Sequence, residues 1–343
     1  MKLRLLRTLA TLRASLRRRR GPVERESLNT EPPLRAELFS AERMERHGKT
    51  LARAHRVGDV PSNDLLLHRL SDNEDVINEA CARLSEAAHQ ERALTPAGEW
   101  LLDNIYMIEE QVRIARRHLP KGYSRELPRL ASGPSMGLPR AYDLALNAIA
   151  HSDGRVDEES LSRFIIAYQT VAPLRLGELW AIPIMLRLAL IENLRRVCAR
   201  VIIDRRDRDL AEVWADRLTD IVERDPKSLV LTIADMARSQ PPASSSFVAE
   251  LTRRLQGQSA ALALPLTWVE QWLAEGKQNI ERMVQSENQQ QAADQVSIGN
   301  SIGSLRFLTM MDWRDFVEDT STVEQILRRD PHGTYESMDF ATR

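Results

Sequence analysis

The sequence predicts an all-α protein, a multi-helix bundle of mostly antiparallel helices with no sheet. Three observations carry this. Leu, Ala, Arg and Glu, all good helix formers, dominate the 343 residues. Only 14 residues are glycine and 5% are aromatic, and the runs rich in Val, Ile, Thr and Tyr that strands favour are missing. Apolar residues return at helical spacing in segment after segment from Leu34 onward. At 43% hydrophobic and 28% charged, the chain can bury a substantial core behind a charged surface.

The N-terminal stretch "MKLRLLRTLATLRASLRRRR" carries eight basic residues and no acid. Against a total of −1, its +8 leaves −9 on the rest of the chain. Leu5, Leu9, Leu12 and Leu16 fall on one stripe of a helix. Residues 1–20 therefore read as a basic amphipathic leader. Lys2, Arg4, Arg7, Arg13, Arg17, Arg18, Arg19 and Arg20 are its candidate contacts with an anionic membrane surface. The competing reading is an unstructured basic leader. The segment lacks the uninterrupted apolar run of a secretory signal, so cleavage is not expected. Nucleic acid is not an expected partner, because the acidic remainder offers no second basic patch and no reader motif.

Residues 21–33, "GPVERESLNTEPP", form a polar linker rich in turn formers. Residues 34–343 follow as a helical domain. Its first helical segment holds Leu38, Met44 and Leu51 among charges, and the turn "GDVPSND" separates it from a helix over about 64–91. In "ALTPAGEWLLDNIYMIEEQVR", Thr95 is the expected N-cap with Pro96 at the first helical position. Four prolines and three glycines in 119–140 exclude a continuous helix there and mark a sub-boundary. Helices are expected at about 141–151, 157–171, 175–203 and 207–223. "ARSQPPASSS", 237–246, is a second sub-boundary; helical patterns then resume to about 292, and "TVEQILRR" closes the set.

"GELWAIPIMLRLALIENLRR", 177–196, is the most apolar stretch. A spanning helix needs about 20 mostly apolar residues, yet only eight uncharged residues separate Glu178 from Arg187. Its apolar side chains point in nearly every direction around a helix, so it reads as a buried central helix kinked by Pro183. Arg187 would then be a buried charge in need of a carboxylate, with Glu99, Asp103, Glu109 and Glu110 as candidate partners.

Chemical motifs are scarce. "HGKT", 47–50, would put the first glycine of a phosphate-binding loop at Arg43, and no strand precedes it. "SDGRVDEES", 152–160, misplaces the ligands of a calcium loop and reads instead as a turn at Gly154 with Asp157 capping a helix. "DRRDRD", 204–209, reads as a solvated charged connection between two helices. Glu99 and Asp103 share a helix face but have no partner motif. Cys81 and Cys198 show no metal or disulfide spacing and read as buried thiols, in keeping with a reducing cytoplasm. No catalytic, cofactor-binding or metal-ligating residue is assigned.

The blocks "PLRAELFSAERMERHGKTLARAHRV", "LTPAGEWLLDNIYMIEEQVR", "LPKGYSRELPRLASGP", "PLRLGELWAIPIMLRLALIENLRRV", "SIGNSIGSLRFLTMMDWRDFVE" and "YESMDFATR" occur in this order. Together they resemble the N-terminal region of the cyclic β-1,2-glucan synthases across about residues 34–343. The resemblance implies a non-catalytic helical module, a fragment or split product, that scaffolds or regulates a membrane-embedded glucosyltransferase domain at the cytoplasmic face of the bacterial inner membrane. It places the UDP-glucose and divalent-metal site of that family downstream, outside this chain, together with the transmembrane helices and the phosphorylase-like domain. Ser124 in "GYSRELP" stands where the family pattern has a second tyrosine, which argues against sugar stacking by that loop. The alternative class is a free-standing helical interaction protein docked on anionic membrane by its basic N-terminus.

Overall fold

A computed structural model describes residues 31–58, 65–120, 122–332, 334, 335 and 338. The candidate membrane contacts Lys2, Arg4, Arg7, Arg13, Arg17, Arg18, Arg19 and Arg20, and nearly all of the linker, lie outside the described residues. Thirteen α-helices occur among the described residues, which contain no strand. They are α1 Ala41–Ala54, α2 Leu65–His89, α3 Pro96–His118, α4 Tyr123–Glu126, α5 Arg140–His151, α6 Glu158–Gln169, α7 Leu176–Arg224, α8 Leu229–Arg238, α9 Ser245–Leu255, α10 Ala263–Glu275, α11 Ile280–Met310, α12 Trp313–Thr320 and α13 Thr322–Leu327. The described residues from Pro32 onward belong to one compact unit.

Local chemistry starts about half of these helices. Ser40, Thr95, Asp157, Ser244, Asn279 and Asp312 each accept a hydrogen bond from a first-turn backbone N–H, which satisfies a donor the helix itself cannot pair. Pro96 opens α3 directly after its cap. Gly154, at φ +79°, makes the turn ahead of Asp157.

The 49-residue α7 is the axis of the molecule, about 74 Å long at 1.5 Å per residue. Helices α2, α3, α5, α9, α11 and α12 all pack on it. Between Leu179 and Ile202 it is buried on nearly every side; Met185, Leu186, Ala189, Leu190, Ile191, Leu194, Val197 and Cys198 are fully enclosed. Pro183 lies inside α7 without ending it. Burial pushes the Cys81 thiol up to about 12 and Cys198 up as well, so both free thiols stay protonated and unreactive. No helix among the described residues is long and apolar enough to cross a membrane.

Two expectations are corrected. The connection expected at "DRRDRD" does not exist: α7 runs through it. The stretch contains neither glycine nor proline, and Arg205 pairs with Asp209 one turn later at 2.9 Å. Likewise α11 continues to Met310 rather than stopping near 292. Its later turns, rich in serine and glycine, are held by packing: Ser297, Ser301 and Ser304 are buried on the face it shares with neighbouring helices. The far half of α7 closes a second part of the core with α8 to α11, built on Trp214, Leu218, Met236, Phe247, Val248 and Leu251.

"HGKT" lies within α1, which packs on α6. A β-carbon on Gly48 would sit 2.9 Å from the Phe164 carbonyl oxygen and 3.2 Å from its ring. The two backbones can approach this closely only at glycine. Gly48→Ala is therefore expected to destabilise by about 1–3 kcal/mol through overpacking, although alanine is the better helix former by about 1 kcal/mol. Urea denaturation checks the sign; a more stable variant would refute the packing argument.

Candidate functional site

The polar chemistry of the described residues is concentrated in two buried clusters. Glu192, on α7, is 1% exposed. Its Oε1 accepts hydrogen bonds from Arg69 Nη2 and Arg195 Nη2, both at 2.9 Å, and from Arg196 Nε at 3.0 Å; its Oε2 accepts from Asn73 Nδ2 at 2.9 Å. Burial pushes this carboxyl up, but the three guanidinium groups and the amide overwhelm that effect and hold it at about 2. Arg196 also donates to the Pro32 carbonyl, which ties the start of the described chain to the axis.

One residue further, buried Asn193 links α7 to α11. Its Nδ2 donates to Ser297 Oγ and Ser301 Oγ, both at 3.1 Å, and its Oδ1 accepts from Leu34 N at 2.9 Å. The seam continues along both helices. Arg35 bridges Asp153 and Asp294, Arg200 Nε donates to Asp294 Oδ2 at 3.1 Å, and Arg208 pairs with Glu287 at 2.9 Å. Burial and the nearby Glu287 carboxylate push Asp204 up to about 6.

The second cluster anchors the proline-rich segment 119–140. His55, just after α1, has both ring nitrogens engaged: Nδ1 with Tyr168 Oη at 2.9 Å and Nε2 with Asp143 Oδ2 at 3.0 Å. Ser135, from the segment itself, donates to the other oxygen of Asp143. Burial raises the Asp143 carboxyl, yet the hydrogen bonds from His55 and Ser135 prevail and lower it below its usual value. Beside it, Arg140 clamps Glu178 with two hydrogen bonds of 2.9 and 2.6 Å. Isolated bridges Val57–Leu130 and Arg129–Pro139 fasten the segment's backbone. Phe39 stacks on His151 at the cluster's outer edge with His47 edge-on to both, and burial lowers the His151 imidazole.

Tyr168 is fully enclosed and His55 nearly so. Every polar atom of the His55–Asp143 pair is already bonded, and these bonds tie two helices and a loop together. Ser124, in "GYSRELP", is buried and its carbonyl accepts from Arg129 Nη2 at 2.9 Å. Sequence reasoning did not find either cluster. His55 and Asp143 are 88 residues apart, and no spacing motif links them.

Arg187 is 5% exposed. Its Nε donates to Gln111 Oε1 at 2.9 Å, so the expected carboxylate partner is replaced by an amide. The reason is the register of α3. Leu101, Ile108, Gln111, Val112 and Ala115 face inward, whereas Glu99, Asp103 and Glu110 are exposed and Glu109 is half-buried. Burial alone lowers the Arg187 guanidinium from its ordinary value. Because its partner is neutral, Arg187→Met is expected to cost only about 1–3 kcal/mol, the penalty of leaving the Gln111 oxygen unpaired. Adding Gln111→Leu should recover most of that. Chemical denaturation of both variants decides; a loss that the second substitution does not reduce would refute the amide pairing.

No family model matches the chain. The chain is 30% identical over 324 residues to the cyclic beta-(1,2)-glucan synthase NdvB of Rhizobium meliloti (strain 1021). That alignment covers 93% of this chain and 11% of the relative. The helical unit built around α7 is thus similar to one part of a cyclic β-1,2-glucan synthase, a protein of which it spans only a small share.

Proposed function

We propose that the chain acts as a non-catalytic helical module of a cyclic β-1,2-glucan synthase-like protein, scaffolding or regulating the glucosyltransferase. The observation that carries this reading is the similarity along 93% of the chain to a part of one such enzyme. The buried seams of α7 support it, since their polar groups are spent on holding helices in register. The setting is the cytoplasmic face of the bacterial inner membrane, with residues 1–20 resting on anionic lipid. Each basic residue near such a surface contributes about 1 kcal/mol.

Replacing the matching region of the relative with this chain should preserve cyclic glucan production in cells, and deleting the region should abolish or alter it. Unchanged glucan in the deletion strain would overturn the proposal, as would glucan made by the purified chain from UDP-glucose and divalent metal. Liposome flotation tests the membrane contact: equal binding with and without residues 1–20 would remove that part of the reading.

A further inference from the structure

We propose that the groove between α10 and the end of α8 binds a neutral saccharide, on a platform formed by Trp268 and Trp272. The two residues are one turn apart on α10, and their rings stack with centroids 5.5 Å apart and planes inclined by 12°. Both indoles are half-buried against the core formed by α7 to α11. They line an open groove of about 380 Å³ together with Gln240, Pro241, Gln271 and Glu275. That volume lies within the usual range for small-ligand sites, about 300–1,000 Å³.

The polar side chains of the groove, Gln240, Gln271 and Glu275, are exposed on its rim. Among the described residues they form no hydrogen bond with another side chain or with the backbone, and neither do the two indole N–H groups, so all of them are open to a ligand. Gln240 is presented from a left-handed backbone, φ +50°, immediately before Pro241, a conformation uncommon for any residue other than glycine.

Charge and shape select the ligand class. No Lys or Arg lines the groove, and Glu275 would repel an anion, so phosphates and nucleotides do not fit. A flat aromatic surface takes up the apolar C–H face of a pyranose ring. The two amides, the carboxylate and the indole N–H groups supply donors and acceptors for equatorial hydroxyls. A neutral pyranose chain satisfies both features, the aromatic surface and the rim of exposed donors and acceptors.

The inference stands on the groove and not on the glucan-synthase reading, so either can fail alone. Isothermal titration of the full chain with β-1,2-linked and β-1,4-linked gluco-oligosaccharides, and with a proline-rich peptide, tests it. Saturable binding of at least one saccharide is expected. Trp272→Ala should weaken it by about tenfold or more. Gln271→Ala, an exposed position that leaves the core intact, should weaken it by several-fold with an unchanged circular dichroism spectrum. No saturable saccharide binding would overturn the proposal. So would binding unaffected by Gln271→Ala and Trp272→Ala, or binding of the peptide alone.

Discussion

Glu192→Ala is expected to lower the unfolding free energy by about 3–5 kcal/mol, because it leaves three guanidinium groups around an empty, buried centre. Small domains are stable by only about 5–15 kcal/mol, so this is a large fraction of the whole. The depressed carboxyl gives a second scale for the same loss. The Glu192 carboxyl falls from 4.5 to about 2 in the folded protein, which corresponds to about 3 kcal/mol. A depressed carboxyl stabilises the fold above its unfolded value. The contribution is therefore fully present above about pH 4.5 and disappears as the pH falls toward 2. Urea denaturation of wild type and variant between pH 7 and pH 2 should show two curves that converge on acidification. A gap that stays constant through that window would refute the ionic account. Glu192→Gln should fall between the two, since it keeps an acceptor but loses the charge.

Glu178→Ala is expected to cost a similar amount, about 3–5 kcal/mol, through two separate losses. Glu178 is fully buried, and it is the carboxylate partner of Arg140, which is only 7% exposed. Without it, Arg140 retains a hydrogen bond to the Pro173 carbonyl at 3.1 Å and its position over the Tyr168 ring. The second loss is at the start of α7, where Glu178 Oε2 accepts from Arg175 N at 2.9 Å. Combining Glu178→Ala with Arg140→Met removes the stranded charge and should restore part of the stability. A double variant no better than the single would show that the cap, not the ion pair, carries the effect. Glu178 and Glu192 are 14 residues apart on one helix, about 21 Å. Their two losses should add to within about 0.5 kcal/mol.

The sequence by itself determined the class and much of the segmentation. Helical periodicity and caps such as Thr95–Pro96 and Asp157 act within one or two turns, so they are legible without knowledge of the fold. The all-round apolar wheel of 179–191 likewise required burial wherever that helix ended up. What local signals could not show was where long helices stop. "DRRDRD" resembles a loop in isolation, yet its charges find partners on α7 and on α11. The serine-rich turns of α11 look weakly helical until Asn193 and the neighbouring helices are packed against them. Partner choice was equally non-local. Arg187 demanded a hydrogen-bond acceptor in the core, and the sequence pointed to the acids of α3. Only the packed register of that helix turned Gln111 inward and left Glu99, Asp103 and Glu110 in solvent. The His55–Asp143–Ser135 cluster and the Trp268–Trp272 groove also exist only in three dimensions, because they join segments from different helices and loops. Burial is a demand that a single helix can express. Which side chain meets that demand depends on how several helices are rotated against one another, and that is decided by packing.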